Sequence, residues 1–120
     1  MRLDCFVNVI SIDPALEFYV NELGFFNIKY DFGMGNVLIS HNENSDICLR
    51  LKEHNLQPSP DIVFALEVKN CKDQFEIFKS FKFKSGGQLS SNNLLEYPVE
   101  SSFIIKDPSG NKILIFEPNY

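Results

Sequence analysis

Asp107-Pro108-Ser109-Gly110-Asn111-Lys112-Ile113-Leu114 near the end of the chain, and Phe18-Tyr19 with Leu23-Gly24-Phe25 near its start, carry most of the fold information. The first run joins Asx, proline and glycine residues, whose backbone preferences set a tight turn, to an apolar strand over 112–117. The second is a helix end. Leu16, Tyr19, Val20 and Leu23 recur at helical spacing, and Gly24 follows where a left-handed residue closes a helix.

Working outward, residues 3–12 are rich in Val, Ile and Phe and read as a buried strand, and Asp13-Pro14 supplies an N-cap and first helical residue for a helix over 14–23. Three strands are expected near 25–32, 36–41 and 46–53, separated by Gly33-Met34-Gly35 and by the polar turn His41-Asn42-Glu43-Asn44. Pro58-Ser59-Pro60 breaks the pattern, which then repeats. Residues 61–68 form a strand, and Phe75, Phe78 and Phe81 mark the core stripe of a helix near 71–82. After Gly86-Gly87 the segment 88–98 reads as loop with a short strand, and strands follow at 99–106 and 112–117. The chain is thus β-α-β-β-β written twice, with an offset of about 55 residues between Phe6 and Asp61. This predicts one α+β domain over 1–120, built of a module at about 1–57 and another at about 58–120.

Eleven basic against 16 acidic side chains give a net charge of −5, the wrong sign for a dedicated nucleic-acid binder. A cationic or neutral small molecule is the easier partner. Apolar residues reach 44% with 12 Phe, enough for a packed core, but no apolar run approaches the roughly 20 residues of a membrane span. The start Met1-Arg2-Leu3-Asp4-Cys5-Phe6 lacks a secretory pattern, so a cytoplasmic address is expected. Cys5, Cys48 and Cys71 have no metal-type spacing and fit free thiols in a reducing compartment.

The two quoted motifs, with Phe116-Glu117 on the last strand, resemble the vicinal oxygen chelate superfamily of glyoxalases, bleomycin-resistance proteins, fosfomycin-resistance enzymes and extradiol dioxygenases. The resemblance covers essentially the whole chain. It implies two βαβββ modules whose eight strands form one curved mixed sheet, an open cup around a ligand. It also implies metal positions on the first, fifth and eighth strands, which fall here on Phe6, Asp61 and Leu114. Phe and Leu carry no donor atom, and one carboxylate cannot hold a transition ion that takes three or more protein ligands. The two histidines, His41 and His54, sit among polar loop residues and read as surface side chains. The expected cofactor is therefore none, with a divalent metal as the alternative.

With Phe6 facing the cup, alternation places Asn8 and Ile10 beside it and turns Val7 and Val9 toward the helix. The same parity gives Val63 and Ala65 from Asp61, and Lys112 and Phe116 from Leu114. Alignment with the family's fourth strand adds Asp46, Cys48 and Arg50, and strand seven adds Ser102 and Ile104. Arg50 can clamp a carboxylate or phosphonate, or pair at the rim with Asp46, Glu53 or Asp61. Asp61, if enclosed, suits acid-base catalysis. Cys48 reads as a small buried thiol. Residues 90–98, with Asn92, Asn93, Glu96 and Tyr97, are long and polar enough to act as a lid.

Two functional readings follow. In one, a metal-free homodimer sequesters a small molecule in the cup, as bleomycin-resistance proteins do. In the other, Asp61 serves a lyase- or dioxygenase-type enzyme, with a metal or by acid-base chemistry; a degenerate interaction domain is the third possibility.

Overall fold

A computed structural model of the chain describes residues 1–55 and 59–120. The chain divides into two compact units, Met1–Pro58 and Ser59–Tyr120. Pro58 of the expected break lies outside the described residues. Among those residues no helix is long and apolar enough to cross a membrane.

The first unit runs β1 (Leu3–Val9), α1 (Ile12–Leu16), a π-helical continuation over Glu17–Glu22, β2 (Phe26–Gly33), β3 (Asn36–His41) and β4 (Ile47–Glu53). Its sheet has the order β1-β4-β3-β2, with β1 and β4 parallel and the other pairs antiparallel. Strand alternation divides the sheet as the sequence suggests: Val7 and Val9 are buried, while Phe6 between them and the strand's start is 65% exposed. Val37, Ile39, Leu49 and Leu51 join the buried set, with Phe18 and Tyr19 from the helix. The Leu23 N–H donates to the Phe18 carbonyl at 2.8 Å, a five-residue span that widens the last turn. Phe18 and Tyr19 meet edge-on there with centroids 4.9 Å apart, and Tyr19 in turn packs edge-on to Phe26 at 6.2 Å.

The helix starts at Ile12, two residues before the predicted Pro14, and Ser11 rather than Asp13 is its N-cap residue. Ser11 makes no side-chain cap. The acceptor comes from the end of the neighbouring strand β4, where Glu53 Oε1 accepts the Ile12 N–H at 3.1 Å. Gly35 makes room for that carboxylate, since a Cβ at this position would lie 2.6 Å from Glu53 Oε2. Its φ of 75° is a second reason for glycine.

The second unit runs β5 (Ile62–Glu67), α2 (Cys71–Ser80), β6 (Gln88–Leu89), β7 (Leu95–Glu96), β8 (Glu100–Lys106) and β9 (Lys112–Pro118). Its sheet has the order β5-β9-β8-β6, and β7 also pairs with β8. Phe75 and Phe78 of α2 pack on Phe103, with ring centroids 5.5 and 6.1 Å away, over a floor of Ile105, Ile113 and Ile115. Phe81, expected as the third core residue, lies past the helix end and is exposed. It meets Phe83 edge-on with ring centroids 4.9 Å apart.

The α+β class and the two-fold β-α-β-β-β element order agree with expectation, and the eight-strand count is matched roughly. Two sheets form, one of four strands and one of five. The extra strand arises because residues 88–98 split into two short pieces that both pair with β8. The segment expected as a lid is held to its own sheet: the Ser90 and Ser91 N–H groups donate to the Ile104 carbonyl, and Asn119 Nδ2 donates to the Tyr97 carbonyl.

Candidate functional site

The face of the first sheet that carries Phe6 is built by register. Phe6 lies opposite Arg50, Arg50 opposite Leu38, and Leu38 opposite Tyr30, so one row crosses all four strands. The neighbouring rows are Asp4, Cys48, Ser40 and Asn27 on one side, and Asn8, Lys52, Asn36 and Gly33 on the other. Phe32, two residues on from Tyr30, shares this face with it, with ring centroids 4.9 Å apart. Phe6, Tyr30 and Phe32 remain 65%, 59% and 49% exposed.

Arg50 sits at the centre. Its Cζ lies 5.5 Å from the Phe6 centroid and 5.3 Å from the Phe32 centroid, within the range of cation–π attraction to both rings. Its Nε donates to Asp4 Oδ2 at 2.8 Å, and Arg2 Nη2 donates to the same oxygen at the same distance. The Arg50 hydrogen bond is the main reason the Asp4 carboxyl titrates below its ordinary range. Burial opposes it and Arg2 reinforces it. Asp4 Oδ1 is covered and makes no hydrogen bond among the described residues. A shallow hollow of about 560 Å³ opens over Arg2, Lys29, Tyr30, Phe32, Leu38 and Arg50. A smaller one of about 160 Å³ lies between Phe6, Phe32, Asn36, Arg50 and Lys52. Lys29 is steadied by donating to the Ser45 carbonyl at 3.3 Å.

The expected first-module residues therefore meet in part. Phe6, Arg50, Cys48 and Asn8 share the face, with Cys48 buried and its thiol donating to the Ser45 carbonyl at 3.4 Å. Asp46 falls in the turn before β4, exposed, with its N–H on Asn44 Oδ1. None of the three partners named for Arg50 is the one it takes; Asp4 holds it instead. Asp4 was open to the alternation argument, being two residues before Phe6, but the parallel register that puts it beside Arg50 is not written in the chain. Tyr30 and Phe32 are not legible in the sequence because the face they take is set by the register shift between Ile28 and Tyr30.

In the second unit, Ala65, Leu114 and Ile104 form one row, and Glu67, Phe116 and Ser102 the next. Asp61 does not join them. It precedes β5 and is exposed, with its N–H on Ser59 Oγ at 3.1 Å, and a register shift between Ile62 and Phe64 puts Ile62 rather than Val63 in the Lys112 row, so the parity that linked Asp61 to Ala65 is broken. The enclosure that a general-acid role needs is missing at this exposed position.

The donor set implied for a metal does not fit one. Phe6 presents a ring to Arg50, Leu114 is hydrocarbon, and Asp61 is a solvent-exposed carboxylate. Among the described residues no group of three or more His, Cys, Asp or Glu side chains is arranged to hold an ion. His41 packs edge-on to Phe26 at 5.7 Å, and its Nδ1 accepts the Glu43 N–H at 3.1 Å.

By sequence, no protein-family model and no curated protein matches this chain. Solved structures do match it, along nearly its full length. A glyoxalase/bleomycin resistance protein/dioxygenase from Alicyclobacillus acidocaldarius superposes with a TM-score of 0.72 at 14% identity, covering 100% of this chain and 92% of that one. A lactoylglutathione lyase from Agrobacterium tumefaciens gives 0.71 at 13%, covering 98% and 92%. The bleomycin-binding protein of bleomycin-producing Streptomyces verticillus, complexed with copper(II)-bleomycin, gives 0.68 at 17%, covering 96% and 93%. Identities this low show the fold: the chain has the glyoxalase/bleomycin-resistance fold.

Proposed function

We propose that this protein binds and retains a small organic molecule on the aromatic face of its first sheet, with no metal in the interaction. The observation that carries the reading is Arg50, held between the Phe6 and Phe32 rings on a face where three large aromatic side chains stay exposed. Exposed rings around an oriented charge cost solubility and add nothing to the core, and they supply the flat apolar surface and directional polar group of a ligand site. The fold supports the reading, since one solved example is a protein complexed with copper(II)-bleomycin. A homodimer in the cytoplasm belongs to the same reading: β1 and β2 end the first sheet, and sheet edges are commonly completed by a second copy.

The test is ligand-observed NMR against a panel of flat organic molecules, with wild-type protein, Phe6→Ala and Phe32→Ala. Saturable binding that weakens at least tenfold in either variant, with unchanged circular dichroism, supports the proposal. Binding indifferent to both substitutions overturns it. Light scattering reads the oligomeric state.

A further inference from the structure

We infer that the ligand of this face is a flat organic anion, a carboxylate on an aromatic or conjugated body. The inference rests on the binding reading above and names the ligand class. It reverses the preference that the chain's charge of −5 suggests, because charge is distributed unevenly. Arg2, Lys29 and Arg50 line the larger hollow and Lys52 joins Arg50 in the smaller, while neither lining contains a carboxylate. Asp4 lies beside them and is already engaged by two guanidinium groups.

The Arg50 geometry decides what the cations recognise. Asp4 takes the Nε edge and fixes the guanidinium plane, so the terminal nitrogens, with four N–H donors between them, are left for a planar two-oxygen acceptor. Among the described residues these nitrogens make no hydrogen bond. Phe6 and Phe32 flank the group at 5.5 and 5.3 Å, and Tyr30 extends the aromatic surface from Phe32. A carboxylate on the free edge of Arg50 thereby places its own ring system against Phe32 and Tyr30. A cationic ligand would meet the same stacking surface but face Arg2, Lys29 and Arg50, and like charges at such a contact disfavour it.

The experiment titrates the full chain with 2-naphthoate, its neutral methyl ester and 2-naphthylmethylammonium, following backbone amide shifts of the first sheet by NMR. The expected order has naphthoate at least tenfold tighter than the ester and the ammonium weakest, and only naphthoate weakens as salt rises from 20 to 300 mM. Arg50→Gln should bring naphthoate and ester to equal affinity, and Arg50→Lys, which keeps the charge without the fork, should fall between. If the ester or the ammonium binds this face as tightly as naphthoate, the anion assignment is overturned and the binding reading stands. If none of the three shifts amides on this face, both fail. The wild-type series decides the matter even if an Arg50 variant does not fold.

Discussion

Glu117 Oε1 accepts the backbone N–H of Cys71 at 2.9 Å, linking the last strand of the second unit to the first residue of its helix. The same device appears in the first unit, where Glu53 ends β4 and accepts the Ile12 N–H. In both units the last strand runs parallel to the first, so its C-terminal end emerges beside the helix that the first strand leads into. A carboxylate there satisfies an orphan donor and lies at the positive end of the helix dipole. The internal repeat thus extends to side-chain function, although the two glutamates lie in unlike sequence contexts.

Removing that cap tests it. Glu117→Ala should destabilise the second unit by about 1–2 kcal/mol, the usual cost of losing a helix N-terminal acceptor, and Glu117→Gln, which keeps an oxygen, should cost less. Urea unfolding followed by circular dichroism measures both. Equal losses in the two variants would point to packing rather than to the hydrogen bond.

Asp107 holds the turn before β9. Its Oδ1 accepts the N–H groups of Ser109 and Asn111 and its Oδ2 accepts Asn111 Nδ2, all at 2.9 Å, and the side chain is buried. Asp107→Ala leaves three donors to find other partners and should cost about 2–4 kcal/mol, given about 1–3 kcal/mol for each buried group left unsatisfied and partial rescue by water. The urea midpoint reads this directly; a loss under half a kcal/mol would show that the backbone turn stands without the carboxylate.

These turns and caps explain what the chain discloses and what it hides. The Asp107 to Asn111 run and the Leu23-Gly24 helix end are local, since each residue answers a demand set within a few positions, and the strand and helix bounds read from them hold to within a few residues. The Val7/Phe6 division of faces is equally local. Registers are not. Which β1 residues meet Arg50 depends on how β1 and β4 align, the shift between Ile28 and Tyr30 decides which face of β2 carries Tyr30 and Phe32, and the shift in β5 breaks the parity between Asp61 and Ala65. On the candidate face, Phe6 and Arg50 are therefore legible in the sequence, whereas Asp4, Tyr30 and Phe32 are not.

Cys71 is fully buried at the start of α2, with its Sγ 3.7 Å from the Ile115 carbonyl. Burial pushes its thiol up to about 11, with Glu117 and Glu100 adding to the effect. A thiol raised in the folded state stabilises fully below its unfolded value of about 8.5, and that contribution is lost as pH climbs toward 11. The melting temperature should fall between pH 8.5 and 11, and the fall should be smaller in Cys71→Ala. Equal slopes in the two proteins would assign the loss to other groups.

Asp4 gives the opposite sign. Its carboxyl is lowered chiefly by the Arg50 hydrogen bond, so the pair contributes above the unfolded value of about 3.9 and loses that contribution as pH falls through the lower folded value. Carbon-detected NMR titration should place the Asp4 midpoint below 3.9 in the wild type and raise it in Arg50→Gln. A midpoint that ignores the substitution would mean that Arg2 alone sets it.

Adjacent positions on β1 separate structure from function. Val7 is 1% exposed and faces the helix, so Val7→Ala should cost about 2 kcal/mol through lost burial and the cavity left behind. Phe6 is 65% exposed and packs against Arg50, so Phe6→Ala should cost no more than about 1 kcal/mol. A large aromatic side chain whose removal the fold tolerates is available for something outside the fold, which in the proposed reading is the ligand surface around Arg50. Should Phe6→Ala unfold the protein as readily as Val7→Ala in urea, Phe6 would be core, and the face it occupies would lose its claim to be a binding site.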